Sequence, residues 1–363
     1  MPEGSYEDGA HPARHWHLLP DGRVQCDVCP RDCQLQEGQR AFCFVRRNVG
    51  NQLVLTTWGR SSGFCVDPIE KKPLNHFFPG SSVLSFGTAG CNLACKFCQN
   101  WDISKSRQMD RLADSATPEA IAQTAVRLGC RSVAFTYNDP TIFLEYATDV
   151  AEACHARGVR TVAVTAGYMH DAARRDLYAH VDAANVDLKS FRDDFYRTLT
   201  GARLAPVLET LEYLVRETGV WVEITTLLIP GCNDSDAEIA DLCEWVAARL
   251  GPQVPLHFTA FHPDYRMTEV PPTPLETIRR ARRRALAAGL HHVYVGNVHD
   301  VAGDTTNCAG CGVALVVRDR YEILEYRLDA RGRCPDCGGA VAGHWSSQVE
   351  NFGRRRVAVR IGG

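Results

Sequence analysis

SVLSFGTAGCNLACKFC, residues 82–98, runs from an apolar stretch through a Gly-containing turn into three cysteines, Cys91, Cys95 and Cys98, spaced by three and then two residues. Its first half reads as a buried strand. Further along, the same kind of text recurs as SVAFTYN (from Ser132), VRTVAVTAGY (from Val159), AANVDLKS (from Ala183), VWVEITTLLIPG (from Val220) and VPLHFTAFHP (from Val254). A shorter run, HHVYVGNV from His291, closes the series. Between them lie amphipathic stretches such as TIFLEYATDVAEACHARG and DSDAEIADLCEWVAARLG; each ends at Gly, and the second opens on an Asp/Ser cap. Alternating strands and helices specify a parallel sheet. Six units and a seventh strand fall short of a closed eightfold barrel, so the expectation for residues 81–300 is a partial (β/α)6 barrel of the TIM type. In such folds the chemistry sits at the C-terminal ends of the strands.

Residues 1–80 and 301–363 lose this periodicity and read as two appended modules, the first Cys-rich and the second ribbon-like. No repeat or low-complexity tract appears. Apolar content of 45% with 23% charge describes a chain able to bury a large core, and a net charge of −3 with a pI near 6.5 carries no nucleic-acid or membrane signature. No apolar run reaches the roughly 18 residues of a membrane span, and MPEGSYEDGAHPARHWH is acidic and polar where a signal peptide is basic and then apolar. The expected location is therefore the cytoplasm. TIRRARRRALAAGL, from Thr277, carries five arginines and reads as the solvated face of an outer helix.

Sixteen cysteines are many for a reducing compartment, and they are grouped: Cys26, Cys29, Cys33 and Cys43; Cys91, Cys95 and Cys98; Cys308, Cys311, Cys334 and Cys337. A 4Fe-4S cube normally takes four thiolates. Three in eight residues, directly after a barrel strand, leave one iron open to a cofactor at the barrel mouth. A zinc loop short of a ligand, or plain buried thiols, are the alternatives.

The trio's spacing, with Phe97 before the third cysteine, resembles the signature of the radical SAM superfamily. DPIEKKPLNHFFPG (67–80), CNLACKFCQNWDIS (91–104), TYNDPTIF (136–143), VDLKSF (186–191), LIPGCND (228–234) and FHPDYRM (261–267) resemble more particularly its AmmeMemoRadiSam-type enzymes, relatives of the pyruvate formate-lyase activating enzymes. The resemblance implies that Cys91, Cys95 and Cys98 hold the cluster and that the amino and carboxylate groups of S-adenosylmethionine (SAM) chelate its fourth iron. One electron then breaks the sulfonium C–S bond to give a 5′-deoxyadenosyl radical. An electron donor such as flavodoxin or ferredoxin is implied with it. Asn138 and Asp139 stand where relatives bind the SAM amino group. Asp187 and Lys189, aligned by two-residue alternation, would grip the SAM carboxylate, its ribose or the substrate, and so are candidates for cofactor binding and for catalysis. Gly231 and Asn233 fall beside the expected adenine site, and His262 leaves the sixth strand. Two departures stand out: Asp139 occupies a position often held by Glu, and Ala166 one commonly held by Asn.

The four thiolates of Cys26-x2-Cys29-x3-Cys33-x9-Cys43 suit an auxiliary 4Fe-4S cluster or a second zinc, and the spacing does not choose. Two CxxC pairs, Cys308/Cys311 and Cys334/Cys337, flank text that reads as a β-hairpin and suggest the two knuckles of a structural zinc ribbon. The leading functional expectation is hydrogen-atom abstraction from a small molecule, such as a sugar or secondary metabolite, with modification or epimerisation of a carbon centre. A glycyl-radical activase and a non-catalytic iron–sulfur or zinc scaffold are the alternatives. Neither a nucleic acid nor a membrane is expected as a partner. An epimerase must return a hydrogen, and Cys232 or Cys65, free of the metal groups, would be the thiol donor.

Overall fold

The computed structural model describes residues 10–105, 114–347 and 349–361. The expectation drawn from the first nine residues lies outside them. A nine-stranded sheet forms the centre, with strands β1 (Phe64–Pro68), β2 (Ser82–Phe86), β3 (Ser132–Phe135), β4 (Arg160–Thr165), β5 (Ala183–Asp187), β6 (Trp221–Leu228), β7 (Leu256–Ala260), β8 (Val293–Gly296) and β9 (Val357–Val359). Their order is β8-β7-β6-β5-β4-β3-β2-β1-β9. The seven from β2 to β8 are parallel neighbours in sequence order, as the strand–helix text requires. They are almost wholly buried because helices cover the outer face, which is why they read as continuous apolar runs rather than alternating ones.

Both flanking segments enter this sheet. β1 pairs antiparallel with β2, and β9, almost at the end of the chain, pairs antiparallel with β1. The parallel sheet therefore has its open edge extended by strands that lie outside residues 81–300.

The helices follow their sequence signals. In Leu144–His155 the residues Leu144, Ala147, Val150, Ala151 and Cys154 are buried, the i, i+3, i+4, i+7 stripe of a helix packed on a sheet. The hydroxyl oxygen of Ser235 accepts from the Glu238 amide and opens the helix Asp236–Trp245. In Leu275–Ala287, Arg279, Arg280, Arg283 and Arg284 pair with Asp300, Asp236, Glu276 and Asp236, an ion-paired outer face as expected. Among the described residues no helix is long and apolar enough to cross a membrane.

Candidate functional site

A cavity of about 300 Å³ opens at the C-terminal ends of the parallel strands. Cys91, Cys95 and Cys98 line one side of it and Phe97 lies beside them, packed at 5.7 Å between ring centres against Phe195. The loop is held by its own backbone: the amides of Ala94 and Lys96 donate to Thr200 O and Leu199 O, and Lys105 Nζ reaches Leu93 O at 2.8 Å. The Leu93 amide donates to Cys91 Sγ at 3.4 Å, while Cys98 Sγ lies 2.9 Å from Ser104 Oγ.

Further lining residues come from the strand ends. Lys189 Nζ sits 2.8 Å from Asp187 Oδ2, and both line the cavity. Burial would push the Lys189 ammonium down, but the Asp187 carboxylate and the nearby Cys95 sulfur hold it above its ordinary value. Burial pushes the Cys91 thiol up to about 12, Asp139 adding to this and Lys105 opposing it. The Thr225 hydroxyl, also in the wall, is buried with no protein partner.

Asn138 and Asp139 line the cavity, yet their hydrogen bonds are made within the protein. Asn138 Nδ2 donates to Gly90 O at 3.0 Å and Thr88 Oγ1 at 3.2 Å, and its Oδ1 accepts from the Thr88 amide, so it staples the cysteine loop to the end of β3. Asp139 accepts from the Thr141 amide at 3.0 Å, the Ala166 amide at 2.8 Å and the Thr165 hydroxyl at 3.1 Å, tying β3 to β4. Ala166 contributes its backbone rather than a side-chain amide.

Other candidates from the sequence stand away from the cavity. Asn233 gives Nδ2 to Lys189 O at 2.7 Å and Leu227 O at 2.9 Å and accepts from the Ile229 amide, so it supports Lys189 from behind. Gly231, at φ 71°, and the half-buried Cys232 lie in the turn after β6, outside the lining residues. His262 is exposed and likewise outside.

Cys65 is buried on β1, and its Sγ is 3.1 Å from Tyr137 Oη. Tyr137 itself lines the cavity, held at φ 70° just after β3. Its hydroxyl donates to Asp67 Oδ2 at 3.0 Å, and Asp67 also accepts from Lys72 at 2.8 Å and Lys71 at 3.0 Å. Burial would raise Asp67, yet the two ammonium groups bring it down to about 2. Sequence reasoning did not single out Tyr137, Lys71, Lys105 or Thr225. The signal for the first two was present, since they lie inside TYNDP and DPIEKK.

These residues fit a cluster with SAM. The sulfurs of Cys91, Cys95 and Cys98 do not all lie within 4.8 Å of one another, as thiolates on separate iron corners need not. A half-buried charge pair and an unpartnered hydroxyl line the same cavity and can meet a zwitterionic ligand. The Radical SAM superfamily matches residues 86–243. An uncharacterized protein of Methanocaldococcus jannaschii is 39% identical over 327 residues, 90% of this chain and 97% of that one. The pyruvate formate-lyase-activating enzyme of Clostridium pasteurianum is 25% identical over 173 residues, 45% of this chain and 68% of that one. This chain belongs to the radical SAM superfamily. Among solved structures, a radical SAM methyltransferase from Sphaerobacter thermophilus aligns over 84% of this chain and 81% of that one at 17% identity and a TM-score of 0.48.

In a radical SAM enzyme, then, Cys91, Cys95 and Cys98 would hold the 4Fe-4S cluster, which when bound supplies the electron that breaks the sulfonium bond of SAM. The chain's own residues would orient the ligand and keep water away. Lys189 can meet the SAM carboxylate while Asp187 and Thr225 remain for donors of the ribose or amine.

Proposed function

We propose that this radical SAM enzyme abstracts a hydrogen atom from a C–H bond of a small polar molecule. A second cavity, of about 280 Å³, carries the reading. It shares Lys71, Pro73, Thr259 and Asn297 with the first, and its further lining includes the polar Glu70, Asn75, His257, Asp304, Arg320 and Tyr321 beside the backbone and side chains of 295–298. Residues from both flanking segments thus wall a compartment adjoining the first cavity. Glu70 is 5% exposed, and its Oε2 has no protein partner. Burial pushes it up to about 7 against the pull of Arg318, and burial likewise brings Asp304 to about 7. Carboxyl groups poised there can accept a hydrogen bond from a ligand hydroxyl or amine, or donate one, which suits a sugar or a hydroxylated metabolite.

A reaction that returns hydrogen to the substrate has Cys65 in reach through Tyr137, whereas Cys232 lies outside the cavity. The similarity to a pyruvate formate-lyase-activating enzyme favours the second reading, a glycyl-radical activase acting on a partner protein. A walled second compartment is of no use to that task. A non-catalytic scaffold accounts for neither cavity.

The decisive experiment is anaerobic reaction with deuterated candidate molecules and a flavodoxin- or ferredoxin-type donor, reading where deuterium enters 5′-deoxyadenosine. Transfer from a small molecule supports the proposal, and transfer only from a glycine of a partner protein overturns it. Cys95→Ala is the control and should make no 5′-deoxyadenosine.

The tail supports a structural zinc. Cys308 and Cys337 sulfurs are 3.5 Å apart and those of Cys311 and Cys334 3.7 Å, and all four lie within 4.8 Å of one another. A tetrahedron of Zn–S bonds near 2.3 Å has edges of about 3.8 Å.

A further inference from the structure

The four cysteines ahead of the barrel take no part in the site described above, and their arrangement differs from that of the tail. Three of them are held in one tight turn: the Cys26 amide donates to Cys33 O at 3.0 Å, and the Arg31 amide to Cys29 O at 2.7 Å. Cys43 returns from the far side of a short loop, and all four line one small apolar cavity together with Val28, Ala41 and Asn92. Cys26, Cys29 and Cys43 are buried and Cys33 is half-buried.

Spacing separates the two metals that four thiolates suit. In a zinc site the sulfurs nearly touch around one ion and enclose no space, as the tail sulfurs do. In a cube each sulfur hangs from its own iron corner, so the sulfurs stand apart around a void. Among the described residues the tail group alone brings three or more such ligand atoms within 4.8 Å of one another. No three of the N-terminal sulfurs, and not all three of Cys91, Cys95 and Cys98, lie that close together, and the N-terminal four line one cavity.

Their place in the fold is also informative. Gly90, at φ 82° immediately before Cys91, has no room for a side chain because a Cβ there would fall 2.0 Å from Cys43 O. Arg31 Nε donates to Asn92 O at 2.8 Å, and Asn92 lines the N-terminal cavity. The two cysteine loops therefore abut.

We propose that Cys26, Cys29, Cys33 and Cys43 hold a second 4Fe-4S cluster, set directly behind the loop that holds the first. Four protein ligands leave no iron open, so SAM has no position on it, and the site suits one-electron storage beside the SAM-binding cluster. The inference does not depend on which substrate the barrel takes.

The test is metal counting after anaerobic reconstitution with ferrous iron and sulfide. In the variant Cys91→Ala/Cys95→Ala/Cys98→Ala, which lacks the first cluster's ligands, about four irons and four sulfides per chain should remain, with a reduced-state electron paramagnetic resonance signal that added SAM leaves unchanged. Should that variant fail to fold, wild type against Cys33→Ala/Cys43→Ala gives the same comparison, with about eight irons falling to about four. Two zincs per chain and no iron in the trio variant, or only about four irons in wild type, would overturn the proposal. Failure of the radical SAM reading would show separately, as wild type that holds its iron but does not cleave SAM.

Discussion

Replacing Asp139 by Ala separates two roles that one carboxylate can serve at this position. In the structure it is 4% exposed and accepts from two backbone amides, those of Thr141 and Ala166, as well as from the Thr165 hydroxyl. Truncation leaves both buried N–H groups without acceptors. At about 1–3 kcal/mol for each, the mid-range loss is roughly 3–4 kcal/mol. For a chain of this length that lowers Tm by roughly 4–5 °C. Asp139→Asn keeps one acceptor oxygen and should lose less than half as much. The assay is an anaerobic thermal melt of the reconstituted protein beside equilibrium dialysis with SAM. If Asp139 instead grips the SAM amino group, as its place in the sequence suggests, Ala would leave Tm almost unchanged and weaken SAM tenfold or more. A variant within about 2 °C of wild type and with such a loss of affinity would refute the staple argument.

The tail should carry about one zinc per chain, and its removal by a strong chelator should lower Tm, because a closed four-thiolate site contributes its binding free energy to folding; iron in the tail would show the assignment to be wrong. In deuterated water, Cys65→Ala or Tyr137→Phe should reduce solvent deuterium in the product at least tenfold, while Cys232→Ala leaves it intact, and the reverse pattern would move the donor to the turn after β6. Glu70 is held at about 7 when folded against an ordinary 4.5, so it keeps its proton in the folded chain where the unfolded chain has lost it. Its contribution to stability is full below pH 4.5 and is lost as pH rises to about 7, so Glu70→Gln should reduce the fall in urea stability between pH 5 and 7.5 by about 2 kcal/mol; parallel curves for wild type and variant would count against this.

The seven parallel strands were legible because burial on both faces makes each a largely apolar, β-branched run rather than a strictly alternating one. β1 and β9 were not, since FCVDP and VAV become strands only by pairing with each other and with β2, across a chain separation that local patterning does not report. The cysteine trio and the Asp187–Lys189 pair were legible for a related reason. A set of cysteines two or three residues apart, or two charges on alternate positions of one strand end, is local chemistry. Asn138, Asp139 and Asn233 announced themselves equally well as polar residues at strand ends, but their partners, Gly90, Ala166 and Lys189, lie 48, 27 and 44 residues away. Only the folded chain shows that these side chains hold loops together. Enclosure is the least local property of all. Lys71 comes from before the barrel and Arg320 and Tyr321 from after it, and they meet beside Asn297 to wall the second cavity. A sequence read strand by strand therefore yields the reaction class, which a few neighbouring ligands decide, before it yields the size of the substrate, which depends on how segments hundreds of residues apart close over the barrel mouth.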